Sequence, residues 1–298
     1  MTAPFDFPFA LAVAPGIPFA VLSLACAGVN DVVFKKYTQG RGSYGAYVFG
    51  IGVAWTCLQL LFLFLRGMPP ARDALTLGFG AAVGLCLVLS NLLLLESLSV
   101  VAVSVGSTIY RLNTVGVVLL SFVILGETLD AFKAAGILAG VAGILFLYDN
   151  KGRAAGERLP QLRFFGLAVA ASILRALYGV VSKAGISAGA DPPSMILITS
   201  ISWIAGGLVY SFAREGCCRL EGRQAAYSMA SGILIFAIVE FLTAALVQGR
   251  ANVVVPVANL SFVVAIGLSS ALNLERLTAK LLFAMTLAAI SVIILSFS

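Results

Sequence analysis

The chain has 298 residues, of which 60% are hydrophobic and only 11% charged, whereas an ordinary soluble domain has roughly 45–50% apolar and about 25% charged residues. So few charges cannot cover a water-soluble surface, and a mean hydropathy of +1.05 turns the question to how often the chain crosses a bilayer. The formal net charge of +6 belongs to dispersed residues between greasy stretches, which excludes a nucleic-acid-binding face.

The five cysteines lack C-x-x-C spacing and the chain has no histidine, so the usual zinc and iron ligand sets are missing and neither metal nor cofactor is expected. Residues 1–16 lack the charged n-region of a cleaved signal peptide. A hydrocarbon core about 30 Å thick needs about 20 helical residues. In chain order, apolar stretches predict spans at 17–37, 43–65, 74–98, 100–125 and 131–148, then at 164–186, 194–212, 225–247, 252–272 and 278–297. Gly40-Arg41-Gly42, Met68-Pro69-Pro70 and Asp191-Pro192-Pro193 supply turn chemistry between spans. The third and fourth spans run together around Ser99, and the polar stretch 149–163 divides the chain into units 1–148 and 164–298. The runs are too long and continuous for barrel strands, so the expected fold is an all-α integral membrane protein of ten transmembrane helices.

Sliding the second half back over the first reveals a repeat. Lys35 and Lys183, Trp55 and Trp203, Arg66 and Arg214, Glu127 and Glu275, and Gly84 and Gly232 are each 148 residues apart, and the two tryptophans are the only ones in the chain. Five spans per unit make the second copy enter the membrane from the opposite side, so two inverted five-helix repeats are expected, an arrangement typical of secondary transporters. Glu127 and Glu275 precede Asp130 and Thr278, N-cap residue types at the start of the fifth and tenth spans. A carboxylate there is favoured by the helix dipole, so the pair reads first as a turn device and second as a part of transport.

At these residues the chain resembles the drug/metabolite transporter superfamily, and within it the EamA-type transporters. The resemblance rests on the apolar span and Gly-Glu-x-Leu turn over 117–129, followed by Gly136, Gly140 and Gly143. It recurs from Val255-Pro256-Val257 to Leu274-Glu275-Arg276-Leu277, and Lys35 and Lys183 near the ends of the first helix of each unit also look like the family. Asn273 and Leu274 depart from the pattern, standing where glycine is common. The resemblance implies a basket of helices one to four and six to nine around a central cavity, helices five and ten outside it, and alternating access. Lys35, Lys183, Glu127, Glu275 and Pro256 are the expected gating or structural residues.

A charge at the centre of a span costs about 2.5–3.5 kcal/mol on insertion scales, so each invites a functional question. Arg111 and Arg175 lie about 16 Å inside their predicted spans, and Asp31 and Glu240 about 10 Å inside. Asn30, Asn91, Asn113, Tyr178 and Asn259 add polar groups at similar depth, and Pro256 removes a helix hydrogen bond near Asn259. One reading has Arg111 or Arg175 receiving a carboxylate or phosphate, with Asp31 or Glu240 as counter-charge or proton carrier. The other makes these four groups structural ion pairs. Trp55 and Trp203 read as packing or interface residues.

Counted by side, odd-numbered connections hold twelve Lys and Arg, and the even-numbered connections with both termini hold five. The positive-inside rule then puts the termini outside, while the family resemblance implies cytoplasmic termini. The expected activity is secondary-active export of a small anionic or zwitterionic metabolite, such as an amino acid, in a plasma membrane, or the inner membrane of a bacterium. Expected partners are that substrate, lipid and a proton, without nucleic acid. No nucleotide-binding loop is present to supply ATP. The alternatives are a channel or scaffold and, from another class, a membrane-embedded enzyme, against which stands the lack of histidine, metal motif or nucleophile elbow.

Overall fold

The computed structural model describes residues 16–40, 42–125, 131–147, 155–216, 218–219, 221–248, 257–274 and 278–296. These residues form helices and turns without a strand. The first half contains α1 (Ile17–Thr38), α2 (Tyr44–Leu65), α3 (Ala74–Leu98), α4 (Val103–Arg111), α5 (Asn113–Leu125) and α6 (Ala131–Leu147). The second contains α7 (Ala155–Ser187), α8 (Pro192–Tyr210) with a π-helical turn at Ser211–Glu215, α9 (Gly222–Gln248), α10 (Ser261–Ala271) and α11 (Ala279–Ser296). Among the described residues seven helices are long and apolar enough to cross a bilayer, and three shorter apolar helices lie at Ala131–Gly143, Val257–Ala271 and Ala279–Ile294. The chain is a multi-pass membrane protein.

Sequence chemistry explains where these helices start. Ser43 accepts the Ala46 N–H (2.9 Å), Asp73 the Thr76 N–H (2.8 Å) and Asp191 the Ser194 N–H (3.0 Å), each satisfying a donor that the first turn leaves free. Pro192 opens α8 where its missing N–H costs nothing.

Two details go beyond the expected spans. The span expected over 100–125 is present as Val103–Leu120 and holds one turn: α4 ends at Arg111, Leu112 turns with φ −73° and ψ 9°, and α5 begins at Asn113. The polar stretch 149–163 is already helical from Ala155. Ala155, Glu157, Arg158 and Leu159 are good helix formers, and apolarity finds membrane depth without finding helix ends. At 33 residues α7 is about 50 Å long, more than a bilayer core.

Helices of one half pack mainly on helices of the other: α1 on α9, α3 on α7, α2 on α8, α6 on α11, α2 on α9 and α3 on α8. The pattern is unchanged when each helix is exchanged with the one 148 residues away, and the agreement extends to single contacts. A Cβ on Gly84 would stand 2.5 Å from Ser202 Cβ, and one on Gly232 would stand 2.5 Å from Ala54 Cβ. These are one contact made twice, since 54 and 202, like 84 and 232, differ by 148. Ser23 donates to the Ile238 carbonyl (2.9 Å) and Ser90 to the Ala171 carbonyl (2.6 Å), again corresponding positions. Leu260, the counterpart of Leu112, turns with φ −77° and ψ 10°. Between lipid-immersed helices there is little hydrophobic drive, so such close approaches at small residues supply the dispersion contacts that hold the bundle together. Phe64, Val123, Phe132, Leu138 and Val209 stay exposed, as a lipid-facing surface requires.

Candidate functional site

A cavity of about 50 Å³ lies between the two halves. Four pairs of its lining residues are repeat counterparts: Asn30 and Tyr178, Trp55 and Trp203, Leu87 and Ile235, Asn91 and Val239. The indoles of Trp55 and Trp203, 148 residues apart, meet edge to face, with ring centroids 5.8 Å apart. The cavity therefore sits where the halves face each other.

The charged lining groups do not follow the 148-residue spacing. Arg111 is the last residue of α4, where free carbonyls favour a cation, and its Nη2 lies 3.4 Å from Asp31 Oδ1 on α1. Arg175 on α7 lies over the Tyr178 ring at 4.7 Å and the Tyr110 ring at 5.8 Å, and Arg111 lies 5.5 Å from the same Tyr110 ring. Tyr110 is thus a shared aromatic face for both cations. Among the described residues no carboxylate lies within ion-pair distance of Arg175. Two guanidiniums against one carboxylate leave the wall with a net positive charge.

The wall also carries polar atoms with no hydrogen-bond partner among the described residues: the Trp55 and Trp203 Nε1, Arg111 Nε and Asn30 Oδ1. Buried polar groups are nearly always paired, so three donors and one acceptor at one cavity call for explanation. Together with Arg175 they form a donor-rich surface suited to an anion's oxygens.

Aromatic contacts flank the cavity along the bundle. Toward the α1 C-terminus, beyond Phe34, Tyr37 stacks on Tyr47 (3.8 Å, 10°) and meets Tyr227 edge-on at 6.2 Å. The Glu215 carboxylate accepts the Tyr44 N–H (2.7 Å) and the Ser43 hydroxyl, joining the end of α8 to the start of α2. At the other end Phe79 abuts Gly185, whose Cβ would stand 2.8 Å from the ring.

Of the residues expected at a site, Asn30, Asp31, Asn91, Arg111, Arg175 and Tyr178 line the cavity. Asn113, Glu240 and Asn259 do not. Glu240 follows the lining Val239 and is turned about 100° round α9. Asn259 donates to Thr114 Oγ1 (3.0 Å), tying the turn before α10 to α5. Asn91 Nδ2 donates to the Leu87 carbonyl of its own helix (2.9 Å). Lys35 lies outside the wall: its Nζ donates to the carbonyls of Leu98 (2.6 Å) and Val101 (2.9 Å), beyond the end of α3. Lys183 lies on α7, its side chain outside what is described, and Glu127, Glu275 and Pro256 fall outside the described residues. Trp55 and Trp203, expected only to pack, line the cavity, as does Tyr110. The signal available for the tryptophans was their 148-residue spacing, shared with other lining residues such as Leu87 and Ile235.

Fold and site together define a multi-pass membrane protein with a positively charged cavity between two similar halves. Residues 14–149, a little under half of the chain, match the EamA-like transporter family, consistent with the drug/metabolite transporter resemblance read in the sequence. No curated protein matches the chain in sequence. One solved crystal structure is similar with a TM-score of 0.65 and 15% sequence identity, covering 94% of this chain and 95% of that one, a likeness of fold alone.

Proposed function

We propose that the chain is a secondary-active carrier that exports a small anionic or zwitterionic metabolite by alternating access. The observation that carries this reading is Arg175: a guanidinium at the cavity wall, held by two tyrosine rings and by no described carboxylate. The anion would be received by Arg175 and the two indole N–H groups, with Asn30 and Asp31 facing any ammonium of a zwitterion. An anion that also engaged Arg111 would release Asp31, the group then placed to exchange a proton. The seven long helices and three shorter ones are read as ten spans in two inverted five-helix repeats, 1–148 and 164–298, joined through 149–163. The corresponding contacts across the seam support this reading, since antiparallel repeats around a midplane site are the usual construction of such carriers.

The small volume of the cavity favours a carrier over an open pore. A volume of about 50 Å³ holds a few waters, while sites for small molecules run to roughly 300–1,000 Å³, so loading requires the halves to part. Reconstitution in liposomes tests the proposal: substrate-dependent counterflow of a small carboxylate or phosphate is expected, whereas ohmic current without counterflow would make the chain a channel. The membrane is taken to be a plasma membrane or a bacterial inner membrane, with termini outside as the charge count directs. A C-terminal reporter active only in the cytoplasm should stay silent.

A further inference from the structure

A second cavity, of about 460 Å³, lies on the flank of the bundle between α3 and α8. Its α3 wall is Ala81, Leu85, Val88, Leu89 and Leu92, one face of the helix, and α8 supplies Ser202, Ala205, Gly206 and Val209 opposite it. The stripes span 12 residues on α3 and 13 on the α8 side, up to Arg214, so the groove is about 17 Å long, the depth of one leaflet. The small residues keep it open, and its only charged lining residue, Arg214, is exposed at one end in the π-helical turn.

We propose that this groove binds one anionic phospholipid, with an acyl chain along α3 and α8 and its phosphate on Arg214. Charge complementarity selects this occupant. Two carboxylates of this region are engaged elsewhere, Glu96 accepting the Tyr210 hydroxyl and Glu215 the Tyr44 N–H (2.7 Å), and the exposed Glu221 is outnumbered by Arg214, Arg219 and Arg223. Arg219 and Arg223 are also exposed at this end of the bundle. Basic groups beside a span draw anionic lipid at about 1 kcal/mol each. The corresponding place between α2 and α9 is filled instead by Phe62 and Phe236, with centroids 6.2 Å apart, so the repeat alone does not create the groove.

Native mass spectrometry of the full chain, titrated with phosphatidylglycerol or phosphatidylcholine in mixed micelles, tests the site. One phosphatidylglycerol should be retained in preference to phosphatidylcholine. Arg214→Gln should weaken it about fivefold and leave phosphatidylcholine unchanged. Ala205→Phe, on an exposed position of the groove, should remove the retained lipid whatever its head group. Equal retention of both lipids, or an Arg214→Gln protein binding phosphatidylglycerol as before, overturns the proposal. So does a wild-type dimer that Ala205→Phe splits into monomers, since a second copy would then occupy the groove. Should Ala205→Phe fail to fold, the surface change Arg214→Gln still decides.

Discussion

Replacing Arg175 by Gln should abolish most anion affinity while leaving the bundle intact. The side chain forms no ion pair with a described carboxylate, so its removal strands no ion-pair partner, and the fold loses its hydrogen bond with Tyr110 and its ring contacts at 4.7 and 5.8 Å, the latter about 0.5–2 kcal/mol. A hydrogen bond to a charged group is worth about 1.5–3 kcal/mol, so the lost contact with a bound anion should raise the dissociation constant roughly 10- to 150-fold. The protein carries its own probe. Its only two tryptophans, Trp55 and Trp203, both line the cavity, so intrinsic fluorescence reports on this site and nowhere else. Titration of purified protein with small carboxylates, phosphates and amino acids should shift the emission of the wild type, and Arg175→Gln should need correspondingly higher concentrations. Arg175→Lys, which keeps the charge and loses the planar fork, should fall between them. An Arg175→Gln protein that binds anions like the wild type, or a wild type that prefers cations, refutes the reasoning.

Further outcomes follow from single contacts. Asp31→Asn leaves Arg111 without its carboxylate 3.4 Å away and should cost up to about 3–5 kcal/mol in thermal unfolding, partly restored by adding Arg111→Gln; an unchanged melting temperature would show the pair to be idle. Gly84→Val and Gly232→Val should each destabilise by about 1–3 kcal/mol through the same close approach. Gly78→Ala, with nothing within 4 Å, should be neutral or mildly stabilising. The N-cap Asp73 is held below the usual carboxylate range by the Thr76 N–H. Its contribution to stability is therefore present above the ordinary carboxylate pKa and lost as pH falls through the lowered one. Unfolding of wild type and Asp73→Asn should converge at acid pH, and a constant difference across pH would contradict this.

Much of the fold was legible because depth in a membrane is written in composition: the predicted bounds of α3 coincide with the observed ones and those of α1 and α2 differ by one residue. The 148-residue spacing was legible too, and it pairs Trp55 with Trp203, whose rings meet at the cavity wall. Azimuth was not legible. Counting residues from a span end placed Glu240 at cavity depth, yet one residue of helical rotation separates it from Val239 on the wall. The turn at Leu112 was hidden for another reason: no proline or glycine marks it, and Thr108, Ile109 and Val115 share the backbone hydrogen bonds that make it tolerable at membrane depth. That turn ends α4 at Arg111 and so sets the height of the cation pair.

Accessibility of the cavity from the two sides of the membrane is the most direct measurement. With Cys26, Cys57, Cys86, Cys217 and Cys218 replaced by serine or alanine, Asn91→Cys on the wall can be probed in sealed vesicles of known orientation with a membrane-impermeant maleimide. Labelling should occur from either side, with the rates from the two sides changing in opposite directions when a transported anion is present. Labelling from one side only, at a rate indifferent to any anion, would contradict a site at the seam that opens to each side in turn.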